Sequence, residues 1–335
     1  MKTLVLSMIS IAATVAAMTA CTSEGDPIDN IDNGQPVEIK LNAGVITTKA
    51  PITSDNGGLL SEALADIQFV QAADVATNPA WGDVSSVAST AEIATTGNIT
   101  LATPLYYNVD PTLKSWLIGY FPKATVEPNT STNKGKLQWK ITGCEDILLS
   151  AEVSGNKKAD ERIPAIVFKH QLLQMQFQFT AEDQKAIDTW GTIESIAIKT
   201  KKSDVLENLP STLTCTLASD PTLAWSVPTE LTAFAVTGGT AYTDTPITNV
   251  NPITLTTTEV LGGYIMVQPL NTKADYVLEI TTSKSKAEVP ITLGGDTPAA
   301  GKAYEVTLTF KASAITATAT ITSWETVHGG SGTVE

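Results

Sequence analysis

The chain has 335 residues, of which 42% are hydrophobic and 17% charged, and its formal net charge is −14. An acidic chain without a basic cluster repels phosphate backbones, so we expect no nucleic acid among its partners. About 300 residues follow the N-terminal segments described next, which is more than one β-sandwich needs and favours two domains.

Residues 1–20 have the features of a lipoprotein signal peptide. Lys2 precedes an apolar run too short to span a bilayer, and the small residues Thr19 and Ala20 lead to Cys21. We predict that Cys21 carries lipid and anchors the mature chain in the outer membrane, exposed on the cell surface. An ordinary signal peptide that contains a cysteine is the alternative. Residues 21–36 are acidic and poor in apolar side chains, and predict a tether.

Alternating segments between Gly, Pro, Asn and Asp clusters predict an all-β fold. Leu172–Thr180 and Ala303–Lys311 alternate apolar and polar residues, as strands wetted on one side do. The other predicted strands are Val37–Leu41, Ile67–Val70, Ser115–Phe121, Leu137–Ile141, Ile147–Val153, Ile163–Lys169, Ile193–Thr200, Leu231–Val236, Gly263–Gln268, Tyr276–Thr281 and Glu288–Leu293.

One segment, Thr180–Gly191, is predicted to be a helix, with Thr180 as the N-cap and Gly191 just past its end. A single helix among strands marks a junction between domains. We therefore predict two tandem transthyretin-like or Greek-key β-sandwich domains, at 37–180 and 192–335. Glycine pairs, such as those at 262–263 and 294–295, predict hairpin turns.

The sequence offers little for catalysis. His170 lies among core-like residues and His328 lies in a glycine-rich tail, so neither is placed as a catalytic base. No metal-ligand spacing or phosphate-binding loop occurs. We predict that the protein is not an enzyme and has no cofactor or metal, although acid pairs for glycoside hydrolysis are set by space rather than sequence. Cys144 and Cys215 are expected to be small buried residues without a disulfide, and the tryptophans are expected in the core.

The C-terminal strand alternates cleanly before the chain ends. Aliphatic residues alternate with threonines, and a tryptophan follows; the residues of this predicted donor strand are Ile315, Ala317, Ala319, Ile321 and Trp324. Such a strand can add to the edge of a neighbour's sheet, and head-to-tail addition that does not close gives a filament. Completion of its own sandwich is the alternative.

Several segments together resemble the fimbrillin family of Bacteroidales, whose members are lipoprotein precursors of pili. The segments that carry the resemblance are Thr19–Cys21, Trp116–Pro122, Gly143–Ser150, Ile166–Leu173, Gly301–Tyr304 and Ile315–Glu325.

The resemblance implies two transthyretin-like domains, delivery to the surface, removal of an N-terminal strand, and filling of the vacated groove by a neighbouring subunit. Family members are commonly cut after an arginine. Here Lys49 and Ala50 stand at that bond, and the only arginine is Arg162.

The predicted function is therefore a structural subunit of a cell-surface fimbria. Its expected partners are other fimbrial subunits, membrane lipid through Cys21, and host or bacterial surface ligands. A monomeric surface adhesin or glycan-binding lipoprotein is the alternative, because a lipid anchor and many loops also suit a surface binder. A secreted β-sandwich glycosidase is a third reading.

Overall fold

A computed structural model describes residues 35–43, 63–126, 135–202, 205–229, 231–232, 252–272, 275–294 and 297–322. Within these ranges no helix is both long enough and apolar enough to cross a membrane. Strands dominate, and the prediction of an all-β fold is confirmed. The helical elements are the 3-10 turns Trp81–Asp83 and Ala159–Glu161 and the α-helix Gln184–Trp190, named α1.

The strands are β1 (Leu41–Asn42), β2 (Leu64–Val75), β3 (Ser89–Ile93), β4 (Asn98–Leu101), β5 (Lys114–Phe121), β6 (Thr125–Val126), β7 (Lys136–Lys140), β8 (Leu148–Ser150), β9 (Val153–Gly155), β10 (Phe168–His170), β11 (Leu173–Ala181), β12 (Thr192–Lys202), β13 (Val205–Asn208), β14 (Pro210–Thr216), β15 (Thr222–Pro228), β16 (Leu231–Thr232), β17 (Ile253–Thr254), β18 (Val260–Val267), β19 (Tyr276–Thr282), β20 (Lys286–Ile291), β21 (Ala303–Lys311) and β22 (Ala314–Thr322).

Four sheets are formed by these strands. Sheet I has the order β1-β4-β3-β2-β5-β8-β10, with β9 also paired to β5. Sheet II has the order β18-β11-β21-β22, and sheet III the order β13-β12-β19-β20, with β16 and β17 also paired to β12. Sheet IV has the order β15-β14-β7-β6. The first of the described strands, β1, is thus an edge of sheet I, and the last of them, β22, is an edge of sheet II.

Sheet II contains a parallel pair that the alternating pattern did not predict. β11 runs parallel to β21 over eight register pairs, while its other neighbour β18 is antiparallel. Parallel neighbours need a long crossover, and residues 182–302 supply it. Apolar side chains of β11 and β21 meet on one face, where Phe179 and Phe310 make an edge-to-face contact at 6.3 Å.

Backbone pairing crosses the predicted domain boundary in two places. β7 of the N-terminal half pairs with β14 of the C-terminal half, and β11 joins β18 and β21. The described residues from Pro36 onward belong to one compact unit. The division at 180–192 into two separately folding domains stays a prediction.

The helix is where the sequence places it, but its cap differs. Asp183, not Thr180, is the N-cap, and its carboxylate accepts a hydrogen bond from the Ala186 amide at 2.8 Å. Gly191 follows the helix with φ of +75°, a conformation that suits glycine. Thr180 instead continues β11, because it pairs with Thr309.

Two further local predictions are wrong. Of the predicted strand Ile163–Lys169, only Phe168 and Lys169 lie in a strand, β10. Pro164 lacks an amide hydrogen, and the Ile163 amide donates to the Tyr107 hydroxyl instead of to a neighbouring strand. The glycine pair at 262–263 is not a hairpin turn. It lies inside β18, where the register with β11 shifts beside Phe177.

Candidate assembly site

The N-terminal segment 37–43 lies as an edge strand against sheet I. Leu41 and Asn42 pair with β4, and a bridge joins Glu38 to Tyr106. Hydrogen bonds at both ends extend the pairing: the Ile39 amide donates to the Leu105 carbonyl at 2.8 Å, and the Ala43 amide donates to the Gly97 carbonyl at 2.7 Å. The whole segment, which we call the N-terminal strand, therefore follows the chain from residue 97 to residue 107.

Its other side has few partners among the described residues. The Ile166 amide donates to the Asn42 carbonyl at 2.8 Å, and Ala43 and Ile166 form a parallel bridge. The N-terminal strand thus fills a narrow place between residues 97–107 and the chain near Ile166. Its removal would leave backbone groups unpaired on both sides.

Side-chain burial in the N-terminal strand alternates with period two. Ile39 and Leu41 are 2% and 3% exposed and belong to the main hydrophobic core. Val37 and Ala43 are half-buried against the same core, whereas Glu38, Lys40 and Asn42 are exposed. Full burial of each large aliphatic side chain contributes about 1.5–3 kcal/mol. Most of the stabilisation that side-chain burial gives this strand therefore comes from its two central residues, Ile39 and Leu41.

The predicted processing and lipidation residues adjoin this strand in sequence. Cys21, Lys49 and Ala50 lie outside the described residues, so their assignments stay predictions. A cut between Lys49 and Ala50 would fall six residues after Ala43. It would separate the N-terminal strand from the rest of the chain while leaving all the other strands joined.

The C-terminal strand β22 lies at the edge of sheet II. It is antiparallel to β21 over nine register pairs, from Ala303 opposite Thr322 to Lys311 opposite Ala314. Ile315, Ala317 and Ala319 are half-buried against the core, and the alternate residues Thr316, Thr318 and Thr320 are exposed. The predicted alternation is present.

Of the predicted donor residues, Ile315, Ala317, Ala319 and Ile321 pair with β21 of their own chain. Ile321 pairs with Tyr304 through its backbone, and Trp324 lies outside the described residues. A role in a neighbouring subunit requires this edge strand to leave β21. The donor role stays a proposal.

Gly294 belongs to a glycine pair that the sequence predicts as a hairpin turn, and in the structure it lies against β22. A Cβ placed on Gly294 would lie 2.8 Å from the Ala319 carbonyl oxygen and 3.5 Å from the Thr320 Cα. Only glycine lets the chain after β20 approach the strand this closely. No sequence signal links Gly294 to β22, because the contact depends on tertiary packing.

His170 has the structural role that its neighbours predict. It is buried, and its Nδ1 lies 2.7 Å from an Asp146 carboxylate oxygen that is also fully buried. A catalytic base must reach substrate, and neither side chain is exposed. His328 lies outside the described residues. Among the residues that the structure describes, no group of acidic, cysteine and histidine side chains is placed to hold a metal ion.

Both described cysteines are buried and free, as expected. Burial raises the pKa of Cys144 to about 11, with a smaller contribution from the Glu145 carboxylate. Burial raises the pKa of Cys215 to about 12. Thiols of such high pKa hold almost no thiolate at neutral pH and are poor nucleophiles.

Most of the described tryptophans lie in the core. This weakens the hypothesis that they form a surface on which sugars stack. Trp81, Trp116, Trp139 and Trp190 are buried, and Trp225 is half-buried. All four buried indole N–H groups donate internally: those of Trp116, Trp139 and Trp190 to the carbonyls of Val75, Pro122 and Lys311, and that of Trp81 to the Glu152 carboxylate.

Two of the solved structures that the chain matches come from Bacteroides species. A Bacteroides uniformis protein assigned to cell adhesion has a TM-score of 0.52 at 17% identity, covering 90% of this chain and all of its own. A fimbrial protein from Bacteroides vulgatus has a TM-score of 0.46 at 14% identity, covering 87% of this chain and all of its own. The first likeness supports the fold alone. No curated protein matches the chain.

The family comparison is broader. The model of the fimbrillin-like family matches residues 67–324, which include every strand from β3 to β22 and most of β2. That range takes in sheets II, III and IV and all of sheet I except the N-terminal strand and the first three residues of β2. The chain belongs to the fimbrillin-like family.

Proposed function

We propose that this protein is a fimbrial subunit that assembles by strand exchange. It is exported as a lipoprotein through Cys21 to the outer membrane, and a cut between Lys49 and Ala50 releases its N-terminal strand. The groove left in sheet I then accepts a β-strand from a neighbouring subunit. The protein makes no covalent bond and needs no cofactor for this step.

The observation that carries the proposal is the position of the N-terminal strand. It is an edge strand, it holds two fully buried aliphatic residues, and it precedes the predicted cut by only a few residues. Its removal exposes an apolar trough flanked by unpaired amides and carbonyls. The backbone of an incoming strand would pair with these amides and carbonyls, and its alternate side chains would fill the apolar trough.

The C-terminal strand is the donor in this proposal. Among the described strands β22 pairs only with β21, so it can leave β21 without breaking another of the described strand pairs. Donation of β22 to the groove of another subunit is head-to-tail and does not close, which gives a filament.

Deletion of residues 314–335 tests the donor role. We expect the variant to be exported and labelled with lipid as the parent is, but to form no fibres by electron microscopy and no ladder on gels of unheated samples. Fibres of normal length from the deletion variant would overturn the donor assignment.

Replacement of Lys49 tests the processing step separately. Lys49→Gln should accumulate with an intact N-terminus and without fibres, whereas the matched control Lys40→Gln, an exposed residue of the N-terminal strand, should assemble normally. Fibres from uncut Lys49→Gln subunits would show that removal of the N-terminal strand is not required.

A further inference from the structure

The groove under the N-terminal strand is shaped for large side chains at its centre. Ile39 and Leu41, two residues apart, are nearly fully buried, whereas the outer positions Val37 and Ala43 are half-buried. A strand that replaces this one must therefore present two large aliphatic side chains at successive inward positions. Smaller residues there would leave cavities, and cavities are costly in a close-packed core.

The chain's own C-terminal strand does not have this spacing. In β22 the half-buried residues packed against the core are Ile315, Ala317 and Ala319, and the sequence continues this alternation with Ile321. The two isoleucines are six residues apart and alanines lie between them. In either direction and in any register, this face can fill at most one of the two central positions. The other face carries threonines, which would bury hydroxyl groups.

The small residues of β22 suit its place in sheet II instead. Gly294 brings the chain after β20 against the backbone of Ala319 and Thr320. Alanine at 317 and 319 is consistent with this close approach, because larger side chains on that face would need more space. The C-terminal strand is thus matched to its own sheet better than to the groove of another copy.

We propose that the groove of this subunit takes a strand from a different kind of subunit, one whose strand has isoleucine, leucine or valine at two successive inward positions. The inference rests on the proposed function, because it names the partner of the same groove. A second copy of this chain is then the weaker partner, and fibres form by alternation with, or addition to, another subunit.

A displacement assay tests this preference on the folded full chain. A site-specific protease sequence replaces residues 46–49, and the unlipidated protein is cut after folding so that the N-terminal strand stays bound. A fluorophore on Cys21 reports release of the cut fragment by anisotropy. Cys144 and Cys215 are buried, and burial raises their pKa to about 11 and 12, so they label slowly.

Three competitor peptides are compared. The first is residues 314–322, the second is the same peptide with Ala317→Ile and Ala319→Leu, and the third carries Thr316→Ile and Thr320→Leu, which adds large residues at the wrong spacing. We expect the second peptide to displace the fragment at a concentration about 100-fold lower than the first. The third should behave like the first.

Equal displacement by the first and second peptides would overturn the preference for another subunit while leaving the groove as an acceptor. A synthetic peptide of residues 36–44 is the positive control. If that peptide and all three competitors fail to displace the fragment, the groove does not accept strands, and the proposed function fails with the inference.

Discussion

The N-terminal strand and the C-terminal strand β22 share a period-two pattern but are held by different forces. The first has large buried side chains at its centre and backbone pairs along residues 97–107. The second has nine continuous register pairs with β21 and small, half-buried side chains. Side-chain burial holds the N-terminal strand in place, whereas backbone pairing holds β22. Two strands with the same alternation of apolar and polar residues are therefore not interchangeable.

The largest effect is expected from truncating the centre of the N-terminal strand. Ile39→Ala and Leu41→Ala should each lower the free energy of unfolding by about 2–5 kcal/mol, because each leaves a cavity in the core. Urea denaturation measures this. The exposed control Lys40→Ala should change it by less than about 0.5 kcal/mol. Losses no larger than the control's would show that burial does not hold this strand.

A smaller effect is expected at the contact between Gly294 and β22. Gly294→Ala places a Cβ 2.8 Å from the Ala319 carbonyl oxygen, and such crowding costs about 1–3 kcal/mol. Amide hydrogen exchange should become faster in residues 314–322 and stay unchanged in residues 37–43. The matched control is Gly82→Ala, whose Cβ would meet nothing within 4 Å. Exchange that accelerates equally in both strands would mean that the contact is not local to β22.

The strands that sequence reasoning found are those whose inward faces are plainly apolar. β21 has the predicted bounds, and β11 differs by one residue at each end. β3 was missed because small residues face inward: Ser89 is buried, and its hydroxyl donates to the Thr103 carbonyl at 2.9 Å. A buried serine with internal partners looks polar in a sequence.

The candidate site was predictable only in part, for a related reason. The alternation of Val37–Leu41 and of Ile315–Thr322 depends on local sequence, and both segments are extended. Strand neighbours depend on packing between distant segments, so the parallel pairing of β11 with β21 and the contact of Gly294 with Ala319 had no local signal. The contrast between the two terminal strands therefore needed the structure.

The smallest effect concerns pH and the sheet that holds β22. Glu305 on β21 pairs in register with Thr320, and its pKa is raised, first by burial and then by the Glu259 carboxylate. A raised pKa means that the folded state binds the proton on Glu305 more tightly than the unfolded state does. Protonation of Glu305 therefore stabilises the folded protein, and this contribution is fully present below about pH 4. It is lost as the pH rises through the folded-state pKa. Glu305→Gln, which stays neutral, should therefore be more stable than the parent at neutral pH, and the difference should shrink on acidification.

Hydrogen exchange in residues 314–322 should follow the same trend, while residues 37–43 should not respond. A difference that is constant with pH, or that grows on acidification, would show that Glu305 does not weaken sheet II.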